Sequence, residues 1–332
     1  MTLPKVAFIG TGGTISSLGV HPLDVLDYSA TDNRMHADEI VAFFPDLARV
    51  AEVIPIRYRN IISPGIGFPD WRALVLACDR AVTEHPDLAG IVIGHGTASM
   101  EETAYMLNLT VKVAIPVVLV GSQRPPSALG ADAGMNLIAA VRTAASPAAR
   151  GMGVLVVLND EIQAAREVSK TSTLRLQTFR TPDFGVLGHA DADRVAFYRA
   201  PMRRRAPDTE FDIRGLDSLP RVDIVYAYSG SDGVAVRAFV AAGARGIVSA
   251  GFAPSFPTPA DTDALAEAAR QGVTVVLSTR AGSGRVHAGS KARANGFLSA
   301  DNLNPQKARL LLSVALSVTD DPARIAAMFD TY

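Results

Sequence analysis

Short unbroken runs of Val, Ile and Leu alternate along this chain with longer stretches in which apolar residues return every three or four positions. The runs are 5-KVAFIG-10, 51-AEVIPIRY-58, 90-GIVIGH-95, 115-IPVVLVG-121 and 153-GVLVVLND-160. The helical stretches between them are 37-ADEIVAFFPDLARV-50, 71-WRALVLACDRAVTEH-85, 101-EETAYMLNL-109 and 133-AGMNLIAAVRTAAS-146. A strand without polar alternation is buried on both faces, so the pattern predicts a parallel α/β sheet with helices on each side.

The pattern lapses after residue 196. The segment 198-YRAPMRRRAPDTEFDIRGLDSLPRV-222 is rich in Pro, Arg and Asp and has little periodicity. A second alternation follows: strands at 222-VDIVYAY-228, 245-RGIVSAG-251 and 273-VTVVLST-279, helices at 233–243, 260–272 and 304–318. The expected organisation is an N-terminal domain over 1–197, a linker over 198–221 and a smaller C-terminal α/β domain over 222–332.

Composition narrows the classes. Hydrophobic residues make up 48% and charged residues 20% of the 332 positions, as in a folded globular chain. The formal charge of −1 gives no polycationic surface for nucleic acid or an anionic membrane. No apolar run approaches the roughly 20 residues that span a bilayer, and no leader-like segment precedes Lys5, so a cytoplasmic location is expected. The one cysteine, Cys78, lies in the apolar run 72-RALVLACD-79 and reads as a buried helix residue. Six histidines at 21, 36, 85, 95, 189 and 287 show no ligand spacing, so neither a metal nor another cofactor is expected.

In parallel sheets, chemistry gathers at the carboxyl ends of strands. The first such loop is 10-GTGGTISS-17. A dinucleotide fingerprint would need Gly where Ile15 stands. What remains is Thr14 on a glycine turn, either a helix cap or an exposed hydroxyl. The second loop is 95-HGTASMEET-103, where Ser99 and Glu102 have capping-box spacing that leaves His95, Gly96 and Thr97 unexplained. The third is 121-GSQRPPSALGADAGMN-136. The fourth, 167-EVSKTSTLRLQTF-179, sets Lys170 among small hydroxyl residues, a surface lysine unless the fold carries it to Thr14 and Thr97.

These motifs together resemble the bacterial L-asparaginase/glutaminase family of threonine-nucleophile amidohydrolases. TGGTI, HGT-x-[ST]-MEETA, VGSQRP, VSKTST and LNPQKAR occur in order from 5-KVAFIGTGGTIS-16 to 303-LNPQKARLLLSVAL-316. The resemblance implies a two-domain α/β fold, with a larger N-terminal parallel or mixed sheet and a smaller C-terminal parallel domain. It implies a catalytic set of Thr14 as nucleophile, Tyr28 from a flexible loop, and Thr97 with Lys170 as a proton-transfer pair. It implies substrate contacts at Gly13, Ser63, Gly96, Ala98 and Ser122, with backbone amides of the glycine turn and of the residue after Gly96 as an oxyanion site. It also implies homodimers or homotetramers whose sites border a partner's C-terminal domain.

The sequence departs from the family at one subsite. The family has an aspartate where Ala98 stands, and a glutamine where Pro64 follows Ser63. Its type II branch places an asparagine near Pro254 and a glutamate within 280-RAGSGRVHAGSKARANGF-297, a segment with no acidic residue here. Alone, Ala98 reads as a mark of inactivation. Together, the changes remove acceptors from the place of a substrate α-ammonium, so the expected substrate is a carboxylate-bearing amide, lactam, cyclic imide or lactone without that group. Arg280, Arg285, His287, Lys291 and Arg293 could favour such a carboxylate or be solvated surface charges. The rival expectations are a true L-asparaginase and a non-catalytic ligand-binding protein.

Overall fold

The computed structural model describes residues 2–332 and divides into two compact units, one running to Arg214 and the other Gly215–Tyr332. The N-terminal unit contains β1 (Lys5–Gly10), α1 (Ala37–Phe43), β2 (Glu52–Arg57), α2 (Phe68–Glu84), β3 (Leu88–Gly94), α3 (Met100–Thr110), β4 (Val117–Val120), α4 (Ala133–Ala145), β5 (Val154–Leu158), β6 (Glu161–Ala164), β7 (Ser169–Lys170), β8 (Phe179–Arg180), β9 (Gly188–Ala190) and β10 (Val195–Phe197). Eight of these strands form one sheet in the order β10-β9-β6-β5-β4-β3-β1-β2, while β7 and β8 pair as a separate ribbon.

The sheet is mixed. β2, β1, β3, β4 and β5 are parallel, as the unbroken apolar runs predict, but β6, β9 and β10 pair antiparallel at the far side. Those three strands have three or four residues each, too short to leave a periodic signal. In β1, Val6, Ala7, Phe8 and Ile9 are wholly buried, with Ala7 beside Ile91 and Ile54 in the neighbouring strands. The strand order turns back between β1 and β3. That is the switch point at which α/β sheets leave a crevice beyond their carboxyl ends.

The helix expected over 37–50 is shorter. α1 stops at Phe43, and Pro45 opens a separate 3₁₀ turn, Pro45–Arg49, because proline disfavours helical geometry at the residue before it. Cys78 is buried in α2, and burial pushes its thiol up to about 12.

The C-terminal unit contains β11 (Val222–Tyr226), α5 (Val234–Ala241), β12 (Gly246–Gly251), α6 (Pro259–Arg270), β13 (Thr274–Thr279), α7 (Ser290–Ala294), β14 (Leu298–Ser299), α8 (Pro305–Leu316) and α9 (Pro322–Thr331). Its four strands are parallel in the order β11-β12-β13-β14. The NPQK motif is the start of α8: the Asn304 side chain accepts from the Lys307 amide at 3.1 Å, and Pro305 fills the first helical position. Between the two strand series, Phe211 and Ile213 are buried and belong to the N-terminal unit. Among the described residues no helix is long and apolar enough to cross a membrane.

Candidate active site

The site is built where the loops after β1, β3 and β4 meet. Gly12 and Gly13 have φ of +105° and +84°, values that side chains rarely tolerate. A Cβ on Gly13 would lie 2.2 Å from Gly96 Cα, and one on Gly12 would lie 2.5 Å from Ile61 O. A Cβ on Gly121 would lie 2.6 Å from His95 O. The glycines therefore let three loops touch backbone to backbone, and the residues after them, Thr14, Thr97 and Ser122, are brought to one place.

Thr14 does not cap a helix. Its Oγ1 lies 2.7 Å from Tyr28 Oη. Thr97 is buried and accepts from Lys170 Nζ at 2.7 Å. Lys170, half-buried on the β7–β8 ribbon, also donates to Gln123 Oε1 at 3.4 Å and lies 5.8 Å from the Phe179 ring centroid. Burial holds its ammonium below the usual lysine range, against an opposing pull from Glu101. The Glu101 carboxylate reaches the Lys170 backbone amide, at 3.4 Å. Among the described residues no carboxylate forms an ion pair with Nζ.

Ser63 is buried against Gly96, where an added Cβ would meet Ser63 Oγ at 2.8 Å. The expected capping box at Ser99 is absent. Ser99 precedes α3 without a side-chain cap, and its hydroxyl donates instead to Ser63 O at 2.6 Å. A long-range contact thus displaces the local bond, and it ties the Ser63 loop to the Thr97 loop. The same loop is anchored from Asp70, whose Oδ1 accepts from Tyr58 Oη at 2.9 Å and from Arg59 Nε at 2.9 Å. Ala98, between Thr97 and Ser99, is exposed.

Tyr28 belongs to a loop with its own supports. Asp24 is buried and accepts from the amides of Val20 and Asp27, each at 3.1 Å. Gly19 N donates to Ser127 Oγ at 2.8 Å, and Leu129 N donates to Pro22 O at 2.8 Å. The loop that holds Ser127 also carries Ser122 and Gln123. It is pinned by Asp132, which accepts from the amides of Gln123 (3.0 Å) and Arg124 (2.9 Å). Ser122 Oγ and Gln123 Nε2 are enclosed without a hydrogen-bond partner in the protein.

Sequence reading missed several residues that shape this site. Gln123 sits inside a motif already singled out. Thr103, Ser127 and Asp132 also lie in loops already singled out, and Trp71 in a predicted helix, but no spacing marks the contacts they make. His95 is wholly buried, with Nδ1 2.7 Å from Gly96 O and Nε2 2.9 Å from Thr103 Oγ1. Burial lowers its pKa to about 4, so the imidazole is neutral near pH 7.

Three of the five C-terminal cations have local partners. Arg280 donates to Ala227 O at 2.9 Å and lies over the Phe252 ring at 4.2 Å. Arg285 pairs with Asp301 at 3.3 Å, and Arg293 donates to Ala288 O. Among the described residues no group of three or more His, Cys, Asp or Glu side chains could hold a metal ion.

Hydroxyl groups in short contact with a lysine and a tyrosine, at the switch point of an α/β sheet, form an arrangement suited to nucleophilic chemistry in a two-domain α/β protein. The chain belongs to the asparaginase family. Residues 5–203 match the model for the N-terminal asparaginase domain, and residues 221–329 match that for the glutaminase/asparaginase C-terminal domain. L-asparaginase 2 of Bacillus subtilis is 40% identical over 332 residues, covering 99% of this chain and 87% of that protein. L-asparaginase 2 of Escherichia coli is 38% identical, covering 100% and 94%. The crystal structure of a probable cytoplasmic L-asparaginase from Campylobacter jejuni superposes with a TM-score of 0.94 at 38% identity, covering 99% of this chain and 100% of that one.

Proposed function

We propose that this protein hydrolyses the terminal amide of a small carboxylate-bearing molecule that lacks a free α-ammonium, with Thr14 as nucleophile. Thr14 Oγ1 bonds to the amide carbon as its proton passes to Tyr28 Oη, whose own proton moves on to the amide nitrogen. The C–N bond then breaks, and the nitrogen leaves as ammonia after taking up a proton. Water, deprotonated through the Thr97–Lys170 pair, releases the acid and restores Thr14. Tyr28 stands 2.7 Å from Thr14, and Lys170 stands 2.7 Å from Thr97, which supports these roles. Ser63 and Ser122 would contact substrate, beside the glycine turns at Gly13 and Gly96.

The substrate class is carried by one observation. Ala98, exposed and carrying only a methyl, follows Thr97, and the half-buried Lys170 donates to that threonine and to Gln123 with no carboxylate on its Nζ. A substrate ammonium bound beside Ala98 would gain no acceptor from that side chain, and closing the site over it would leave the charge unpaired, which is unfavourable. A lactam, cyclic imide or lactone meets the same requirement as a linear amide. The names of the relatives favour a second reading, hydrolysis of L-asparagine itself. Work in a homodimer or homotetramer, and in the cytoplasm, belongs to the same proposal.

Ammonia release from succinamate and from L-asparagine separates the two readings. Wild type is expected to favour succinamate in kcat/KM by about tenfold or more, and Ala98→Asp to move the preference toward L-asparagine. A wild-type preference for L-asparagine would reject the missing-ammonium reading. Full activity in Thr14→Ala or Lys170→Met would reject the assigned roles.

A further inference from the structure

We infer that His95 is a positioning residue for the reaction: a buried relay through Trp71 and Thr103 fixes its proton on Nδ1, and that proton aims the Gly96–Thr97 peptide. The inference rests on the proposed role of Thr14, because it concerns the amide that would face the oxygen of Thr14's adduct.

The relay runs in one direction only. The indole of Trp71 can donate but not accept, so Thr103 Oγ1 accepts from Trp71 Nε1 at 3.0 Å. The Thr103 hydroxyl proton is then free to meet His95 Nε2 at 2.9 Å, which makes Nε2 an acceptor. The imidazole proton must sit on Nδ1, where Gly96 O, which can only accept, lies 2.7 Å away. Every donor in the relay has an acceptor, and a single tautomer satisfies it. The three side chains come from α2, α3 and the loop after β3, and all are buried.

A trans peptide is planar, with its C=O and N–H pointing opposite ways. With Gly96 O turned to the buried imidazole, the Thr97 N–H points away from it. Among the described residues that N–H meets no acceptor. The backbone of Gly96 lies against Gly13, the residue before Thr14. An unpaired amide held rigidly beside a nucleophile is what stabilises the oxygen of a tetrahedral adduct, and rigidity is the part His95 supplies.

The test uses His95→Leu, His95→Asn and Thr103→Val, with rates measured on whichever of succinamate and L-asparagine the wild type turns over faster. His95→Leu should lower kcat by about 100-fold while KM stays within about twofold, since only the adduct uses the amide. His95→Asn places an N–H near the position of Nδ1 and should recover about tenfold of that loss. Thr103→Val removes the partner that selects the tautomer and should lower kcat about tenfold at unchanged KM. If His95→Leu does not fold, Thr103→Val, which is nearly isosteric, decides the matter alone. Unchanged kcat in a folded His95→Leu or Thr103→Val protein overturns the inference, as does a loss carried by KM. An inactive Thr14→Ala beside a fully active His95→Leu would reject this inference and leave the proposed function standing. A fully active Thr14→Ala, or a wild type that turns over neither amide, would reject the function and this role of His95 with it.

Discussion

Acidification should destabilise the fold through His95, and the size of the effect follows from its burial. An imidazole titrates at 6.5 when unperturbed and at about 4 in this fold. The folded state therefore binds a proton less readily than the unfolded chain. Stability from this group is present above pH 6.5, is lost as pH falls, and is gone once pH drops below 4. At about 1.4 kcal/mol per decade, the loss between pH 7 and pH 4 is about 3 kcal/mol. Carboxylates titrate over part of the same range, so the measurement must be a difference. Equilibrium denaturant unfolding of wild type and His95→Asn at several pH values between 7 and 4 isolates the term, because asparagine does not titrate and distant groups cancel. His95→Asn should be the less stable protein at pH 7, and the gap should shrink by about 3 kcal/mol at pH 4. A gap constant to within about 0.5 kcal/mol would show that His95 is not held neutral, and the assigned tautomer would fall with it.

Three further outcomes test the site. Ala98→Asp should raise the Lys170 pKa by adding a carboxylate one residue from Thr97, so the acid limb of the deacylation rate, followed in single turnovers, should move to higher pH; an unmoved limb would mean that Lys170 does not act as the base for water. Gly13→Ala forces a Cβ to 2.2 Å from Gly96 Cα at φ +84°, and should lower activity by about 100-fold or more; a rate within threefold of wild type would exclude the tight approach of the two loops. Ser127→Ala removes the acceptor of the Gly19 amide and should lower kcat/KM about two- to tenfold, with faster amide exchange across 18–34. In a Tyr28→Phe background the same change should cost little more, and full additivity would mean that the Ser127 contact does not act through Tyr28.

How far the sequence carried the fold varies by element. The five parallel strands were legible because strands buried on both faces leave unbroken apolar runs. β6, β9 and β10 were not, since three or four residues give no period to read. Thr14, Thr97 and Lys170 stood out because each sits in an unusual local setting, and the structure places Thr97 on Lys170 and Thr14 beside Tyr28. Ser99 misled the reading, because its spacing to Glu102 fits a cap while its hydroxyl bonds to Ser63 O. The His95 relay was invisible for a different reason. Trp71 is 32 positions from Thr103, and only the packing of α2 against α3 brings them together.

Lys170 rests on a slighter foundation than its partners. Thr14 and Thr97 follow strands locked inside an eight-stranded sheet, whereas Lys170 lies on a ribbon of two paired positions, Ser169 with Arg180 and Lys170 with Phe179. So small a unit can open at far lower free energy than the sheet. On warming, the lysine should part from Thr97 while the rest of the domain remains folded. Catalysis and global structure would then have separate melting points, with activity failing several degrees before the calorimetric transition begins.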